Sequence, residues 1–322
     1  MMRIALLGTG ALGTLFGVRL ARVAEVWMLG TWREALEAAR HHGLRLITPQ
    51  GEETAFVTVA EDPAEVPPCD AALILVKAYQ TERAARWARQ VLKPAGIALT
   101  LQNGLGPYET LRAVLGPERA WQGVTMMGAT LEAPGRARLG GEGPIWLGAP
   151  SSSRAPLEPL LARLRQAGFA VEIREDLRGV IWGKLVANTA INPVTALFDV
   201  PNGALLERPT LGRLAGAVAR ETASVARAQG IRLPFEDPAA FVAEVCRRTA
   251  ANSSSMRQDL QRGRPTEIDA LNGAVAAIGR ERGIPVPLNE ALWRAVKALE
   301  RKRVRAPVSP PPKVRAGEIV PG

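Results

Sequence analysis

The sequence predicts an α/β fold, an N-terminal Rossmann-type doubly wound sheet followed by a C-terminal all-helical domain. Three observations predict it. A short apolar run, Arg3-Ile4-Ala5-Leu6-Leu7, leads directly into Gly8-Thr9-Gly10-Ala11-Leu12-Gly13. Strand-like and helix-like segments then alternate as far as Ile173. From Asp176 onward strand signals stop and only helical periodicity remains. At 322 residues the chain is long enough for two domains. We place a dinucleotide-binding Rossmann domain at 1–175, a helical substrate and catalytic domain at 176–305, and a Pro-rich basic tail at 306–322.

Composition narrows the function. An apolar fraction of 47% and a charged fraction of 22% are ordinary for a soluble globular protein. Two cysteines make no disulfide framework, and the only histidines are the adjacent His41-His42, so no metal site is expected. No apolar run is long enough to span a bilayer and no charged leader precedes the first strand, so the expected setting is cytoplasmic, without a membrane partner. The net charge of +10 admits nucleic acid, a membrane surface or an anionic ligand. The arginines are dispersed, and aromatics are only 5%, without the interleaving of single-strand binders. A small anionic ligand is expected and nucleic acid is not; a homodimer is compatible with this organisation.

The first strand, Arg3–Leu7, feeds a helix in which Leu12, Leu15, Phe16 and Leu20 recur with helical spacing. This is the strand-turn-helix setting that a G-x-G-x-x-G needs. Gly8 permits the turn, Gly10 lets the backbone approach a pyrophosphate, and Gly13 lets helix and strand pack closely. The helix N-terminus offers free N–H groups to phosphate. Glu25–Leu29 reads as the second strand. NAD sites commonly end it with an acid for the ribose 2′-OH, but here the end reads Gly30-Thr31-Trp32-Arg33. Thr31 and Arg33 are candidates for a 2′-phosphate, which favours NADP over NAD. Arg33 also reads as a solvated residue in the first turn of a helix running to about Arg40.

Leu44–Ile47 and Ala55–Val59 flank Thr48-Pro49-Gln50-Gly51 as an antiparallel hairpin. Asp70–Val76 is a buried parallel strand running into Lys77, and Gly96–Leu101 is another, followed by Gln102-Asn103-Gly104. Lys77 and Asn103 therefore stand past carboxyl ends of strands, the ligand-binding edge of an open α/β sheet. Their plainer readings are a surface lysine and an Asn-Gly turn. Ala120–Met127, Arg136–Leu139 and Pro144–Leu147 read as antiparallel strands, and a helix Leu157–Ala167 with a strand Ala170–Ile173 closes this half.

The helical half reads as Asp176–Asn192, Leu211–Gln229, Pro238–Thr249, Glu267–Arg282 and Leu288–Arg303. In the first of these, Lys184, Asn188 and Asn192 fall at i, i+4 and i+8 and share one narrow face. The rest of that surface is apolar. Burying an ammonium and two amides without partners costs several kcal/mol, so the stripe faces something polar, either a substrate or a paired carboxylate. Only six of the 41 basic residues are lysines, and Lys184 is the sole one between Lys93 and Lys297. A partly buried lysine gives up a proton near neutrality, whereas arginine does not. Asn252-Ser253-Ser254-Ser255-Met256 places three hydroxyls before a helix, as a cap or an anion site. Thr266-Glu267-Ile268-Asp269 reads as a capping pattern with Thr266 as the cap, and Asp199-Val200-Pro201-Asn202-Gly203 as a turn.

Taken in order, these segments resemble the ketopantoate reductase (2-dehydropantoate 2-reductase) family from Gly8 to about Lys302. The most specific pieces are Trp182-Gly183-Lys184-Leu185 with Asn188 and Asn192-Pro193, then Pro201-Asn202-Gly203, Ser255-Met256-Arg257-Gln258-Asp259, and Thr266-Glu267-Ile268-Asp269. The resemblance implies reduction of the ketone of 2-dehydropantoate, a small 2-oxo acid, to (R)-pantoate with NADPH, a step toward pantothenate and coenzyme A. It implies a site in the cleft between the two domains. Gly8, Thr9, Gly10, Ala11, Leu12 and Gly13 would hold the pyrophosphate, and Lys77 the adenosine-ribose phosphate. Asn103 would touch nicotinamide ribose and substrate, and Ala129 would line the nicotinamide pocket. Lys184 would be catalytic. Asn188, Asn192, Asn202 and Ser255 would hold the substrate, with Glu267 orienting cofactor or substrate. The family often has an arginine directly after the second strand; Thr31 stands there here, with Arg33 the nearest arginine.

Overall fold

The computed structural model describes residues 1–148 and 155–305. The tail expected at 306–322 lies outside the described residues. The first half contains β1 (Arg3–Leu7), α1 (Ala11–Leu20), β2 (Glu25–Leu29), α2 (Arg33–His42), β3 (Leu44–Thr48), β4 (Gly51–Ala55), β5 (Thr58–Ala60), β6 (Cys69–Ile74), α3 (Thr81–Val91) and β7 (Leu92–Thr100). It continues with α4 (Pro107–Leu115), β8 (Ala120–Thr125), β9 (Gly128–Ala133), β10 (Arg136–Gly141), β11 (Ile145–Gly148), α5 (Glu158–Gln166) and β12 (Val171–Arg174).

Eight strands form one sheet in the order β12-β11-β8-β7-β6-β1-β2-β5. Neighbours run parallel except β11, which is antiparallel to β8. Strands buried on both faces need no polar alternation, and β1 shows why its run is continuously apolar. Its Ile4 and Leu6 join the core on one side of the sheet, and its Ala5 and Leu7 the core on the other.

Two sequence expectations change here. The hairpin pairs Leu44–Thr48 with Gly51–Ala55 in the register Thr48↔Gly51, and Ala55–Val59 is not its second arm. A two-residue connection, Pro49-Gln50, sets that register, and Gly51 opens the second arm with a φ of 133°. Thr58–Ala60 instead pairs parallel with β2 at the edge of the main sheet. The hairpin also belongs to a separate four-stranded sheet, β4-β3-β10-β9, that packs on α1. Nor are the later strands uniformly antiparallel: β8 runs parallel to β7, and β10 runs parallel to β3 and antiparallel to β9.

The second half is helical: α6 (Leu177–Leu197), α7 (Ala204–Glu207), α8 (Pro209–Arg227), α9 (Pro238–Arg248), α10 (Ser255–Gln261), a π-helical turn at Asp269–Gly273, α11 (Ala274–Glu281) and α12 (Pro287–Arg305). Asp176 caps α6 by accepting from the Gly179 amide at 3.0 Å. The helix does not stop at Asn192 but passes through Pro193 to Leu197. Proline has no N–H, so the Thr189 carbonyl four residues back loses its helical donor. The Asn272 side-chain amide fills that role at 3.0 Å. Asn272 stands in the π turn, where the Gly273 amide bonds the Ile268 carbonyl at 3.0 Å. The helix expected over Glu267–Arg282 forms from Asp269 to Glu281, its first turn being π and running directly into α11. No helix of the described residues is long and apolar enough to cross a membrane.

Candidate active site

The glycine turn after β1 has two kinds of glycine. A Cβ on Gly8 would sit 2.8 Å from the Leu75 carbonyl carbon, and one on Gly13 only 2.0 Å from the Gly8 oxygen. Those two are set by packing. A Cβ on Gly10 would meet nothing within 4 Å. Gly10 is also the N-cap of α1, with no side-chain cap and no acid in the first turn. The first amides of α1 thus face open space, with their partial positive charge uncompensated. Thr9 is buried against Gly30, whose Cβ would lie 2.5 Å from the Thr9 methyl, and Ala11 and Leu12 begin α1 half-buried. These residues fit the pyrophosphate of a dinucleotide.

Further along the same sheet edge, Asn103, Lys184 and Asn188 line one pocket together with Gln102, Gln122 and Gly123. Asn103 follows β7, whereas Lys184 and Asn188 come from α6, so the pocket lies between sheet and helices. Gln102 fixes the loop that carries Asn103, donating from Nε2 to the Val76 carbonyl and the Thr81 hydroxyl, both at 2.9 Å. The Lys184 ammonium donates to the Thr125 carbonyl at the end of β8, 2.7 Å away. Burial pushes the Lys184 ammonium down to about 8, with the Glu267 charge pulling the other way. An ammonium has three donors, and the Thr125 carbonyl takes one.

Asn192, on the same α6 face, is buried; among the described residues the side chains of Asn103, Asn188 and Asn192 have no hydrogen-bond partner. Asn192, Asn202 and Ser255 lie outside the pocket lining. Asn202 is buried, donating from Nδ2 to Thr249 Oγ1 at 3.0 Å while its Oδ1 is unpartnered. Ser255 is exposed at the start of α10. The cap of α10 is Ser254, which is buried, accepts from the Arg257 amide at 3.2 Å and from the Thr195 hydroxyl at 2.7 Å, and so ties α10 to α6.

A second polar cluster joins the two halves. Lys77 Nζ lies 2.6 Å from Asp259 Oδ2 and 3.7 Å from Glu267 Oε2. Burial works against the Lys77 charge, but the two carboxylates more than reverse that and hold the ammonium above its ordinary value. Glu267 also accepts from the Ala78 amide at 3.0 Å. It is therefore not simply an acid beside a helix dipole. Thr266 accepts from the Ile268 amide at 3.2 Å, as a local cap does, and also bonds Glu300 through its amide and hydroxyl. Ala129 lies in β9 opposite Leu139, outside the pocket lining. Arg33 is 76% exposed and pairs with Glu61 at 3.1 Å.

The model described as Ketopantoate reductase PanE/ApbA matches residues 4–152, and that for the Ketopantoate reductase PanE/ApbA C terminal matches 176–300. A 2-dehydropantoate 2-reductase of Halobacterium salinarum is 36% identical over 305 residues, spanning 93% of this chain and 99% of that protein. The chain belongs to the ketopantoate reductase family. Among solved structures, a PanE/ApbA family ketopantoate reductase from Ralstonia eutropha JMP134 superposes with a TM-score of 0.86 at 33% identity, over 94% of this chain and all (100%) of that one. A D-mandelate dehydrogenase solved with NADH and anilino(oxo)acetate superposes with a TM-score of 0.87 at 26% identity, over 94% and 99%. The family is nicotinamide-dependent, in keeping with the glycine turn.

Some groups in this ketopantoate reductase site escaped the sequence reading. Asp259 stands in a motif quoted for the resemblance, yet its partner Lys77 is 182 positions away, a pairing that no local spacing reveals. Thr125 acts through its carbonyl, which any residue carries. Gln102 directly precedes Asn103, and its amide next to a strand end was a usable signal.

Proposed function

We propose that this protein reduces the ketone of 2-dehydropantoate to (R)-pantoate with NADPH, in the synthesis of pantothenate and coenzyme A, with Lys184 as general acid. The observation that carries this reading is the meeting of Lys184, Asn188 and Asn103 in one pocket between the sheet and α6. The names of the curated relatives support the substrate. We assign cofactor binding to residues 1–175 and the proton donor and most substrate contacts to 176–305.

A nicotinamide, when bound, would supply the hydride for the ketone carbon. Negative charge then develops on the carbonyl oxygen, and a nearby ammonium stabilises it and yields a proton. Lys184 suits both tasks, because its ordinary value is pushed down to about 8 and it keeps donors beyond the one given to Thr125. Asn103 and Asn188 offer amides to the substrate carboxylate and hydroxyl. Asn192 continues the same face about 12 Å along the helix from Lys184, and Asn202 and Ser255 complete the proposed substrate set. Gly8 to Gly13 hold the pyrophosphate, Ala129 flanks the nicotinamide, and Lys77 and Glu267 orient the cofactor while joining the two halves.

A second reading is favoured by the likeness to the D-mandelate dehydrogenase solved with NADH: an NADH-dependent reductase of another 2-oxo acid. One assay separates the two. Oxidation of NADPH and NADH is followed on adding 2-dehydropantoate or 2-oxoisovalerate, which lacks the hydroxymethyl group. A site built to bond that hydroxyl rejects the analogue strongly. Faster turnover of 2-oxoisovalerate, or of any substrate with NADH, removes the first reading.

A further inference from the structure

The carboxyl end of β2 is where dinucleotide folds read the adenosine ribose, and an arginine nearby accommodates a 2′-phosphate. The arginine that sequence position favours is Arg33. Its guanidinium is already paired with Glu61 at 3.1 Å. A phosphate brought to Arg33 meets that carboxylate as well, so the pair is a poor reader of a dianion.

Two other guanidinium groups converge on the same strand end. Arg83, on α3, lies with Nη2 3.4 Å from the Thr31 hydroxyl and its Cζ 5.4 Å from the centre of the Trp87 ring. Arg264, from the segment between α10 and the π turn, stacks its Cζ 4.6 Å from the centre of the Trp32 ring. Thr31 and Trp32 are consecutive, so two cations from different halves of the molecule flank one short loop. Among the described residues neither has a carboxylate within ion-pair distance. The acid that does feel Arg264, Asp259, is held by Lys77 at 2.6 Å. Both arginines are half-buried and rest on aromatic plates. A phosphate monoester of charge about −1.5 to −2 seated at this loop would take charge-assisted hydrogen bonds from such cations.

We propose that Arg83, Arg264 and the Thr31 hydroxyl form the 2′-phosphate subsite, that they set any preference for NADP(H) over NAD(H), and that Arg33 does not. The proposal rests on the reading of the protein as a nicotinamide-dependent reductase. It adds a consequence: because Arg83 belongs to the sheet half and Arg264 to the helical half, the 2′-phosphate draws the two together, which NADH cannot do.

The test is equilibrium binding of NADPH and NADH to the full chain, followed by nicotinamide fluorescence, with melting temperatures recorded in parallel. Arg83→Gln and Arg264→Gln are each expected to weaken NADPH roughly 10- to 100-fold, the worth of a charge-assisted hydrogen bond. NADH affinity should stay within about threefold. Arg264→Lys, which keeps the charge and a small structural change, should recover part of the loss, and Arg33→Gln should alter the NADPH-to-NADH ratio less than either. The proposal is overturned if Arg33→Gln abolishes the ratio while the other two keep it. It is equally overturned if the folded Arg264→Gln protein loses both cofactors alike, or if the unaltered protein binds the two equally. Failure to bind either nucleotide rejects instead the reductase reading beneath it.

Discussion

The Lys184 ammonium and the Thr125 carbonyl are joined at 2.7 Å, which ties a helix of the second half to the end of a sheet strand at the pocket. One bond to a backbone carbonyl orients the amine without neutralising it. We expect Lys184→Ala to fold and to lower kcat by roughly 10²–10⁴-fold, the usual worth of a positioned acid–base group. The KM for the 2-oxo acid should change less than kcat. Steady-state kinetics with a melting curve on the same preparation decide it. Substantial turnover by a well-folded Lys184→Ala protein rejects the assignment.

The pH dependence follows from the same residue. Ketone reduction needs Lys184 protonated, and burial pushes it down to about 8. The protonated fraction is nearly complete at pH 6 and falls tenfold per unit well above that value. We therefore expect kcat/KM for reduction to be flat below neutrality and to decline above about pH 8, whereas an ordinary lysine would hold its proton to beyond pH 10. Oxidation of the alcohol product should rise over the same range, since it needs the free amine. A reduction profile flat to pH 10 contradicts this assignment.

The Lys77 cluster also predicts a stability effect. Asp259 and Glu267 are both buried, with side chains 8% and 7% exposed, and Lys77 is their shared cation. Removing it leaves two carboxylates facing each other away from water. We expect Lys77→Met to cost roughly 1–3 kcal/mol, the penalty of an unsatisfied buried polar group moderated by the partial exposure of Lys77. Denaturant unfolding measures this. Lys77→Met combined with Asp259→Asn should recover part of the loss, because one of the orphaned charges is then gone.

Much of this was legible in the sequence because it is local. The β1–α1 turn, the Lys184 and Asn188 face of α6 and the strand ends carrying Lys77 and Asn103 each follow from spacing within a dozen residues. What escaped depends on distant partners. The continuation of α6 through Pro193 is possible because Asn272 donates to the carbonyl that proline leaves bare, and nothing near Pro193 announces Asn272. Arg33 reads as a phosphate ligand from its position, and only the fold sets Glu61 beside it. Ser254 and Ser255 are chemically identical in the sequence; only the fold makes one the buried cap and leaves the other exposed.

That distinction is itself testable. Ser254→Ala removes an N-cap and a bond to Thr195 Oγ1, and should cost about 1–2 kcal/mol. Ser255→Ala should leave stability within about 0.5 kcal/mol, as exposed substitutions do, and raise the KM for substrate if Ser255 contacts it. Thermal melts and substrate titrations of both variants separate a cap from a ligand.

The glycine turn gives a sharper contrast. Gly13→Ala forces a methyl to within 2.0 Å of the Gly8 oxygen, so the turn and helix must separate. Overpacking of this kind typically costs 1–3 kcal/mol, and cofactor binding should fall with it. Gly10→Ala places its methyl in open space, with nothing within 4 Å. Its melting temperature should stay near that of the unaltered protein, while nicotinamide nucleotide affinity drops at least tenfold because the methyl occupies the approach to the α1 amides. Calorimetric titration with NADPH and a melting curve for each variant distinguish the two glycines. If Gly10→Ala binds the nucleotide as tightly as the unaltered protein, the phosphate does not lie over the N-terminus of α1.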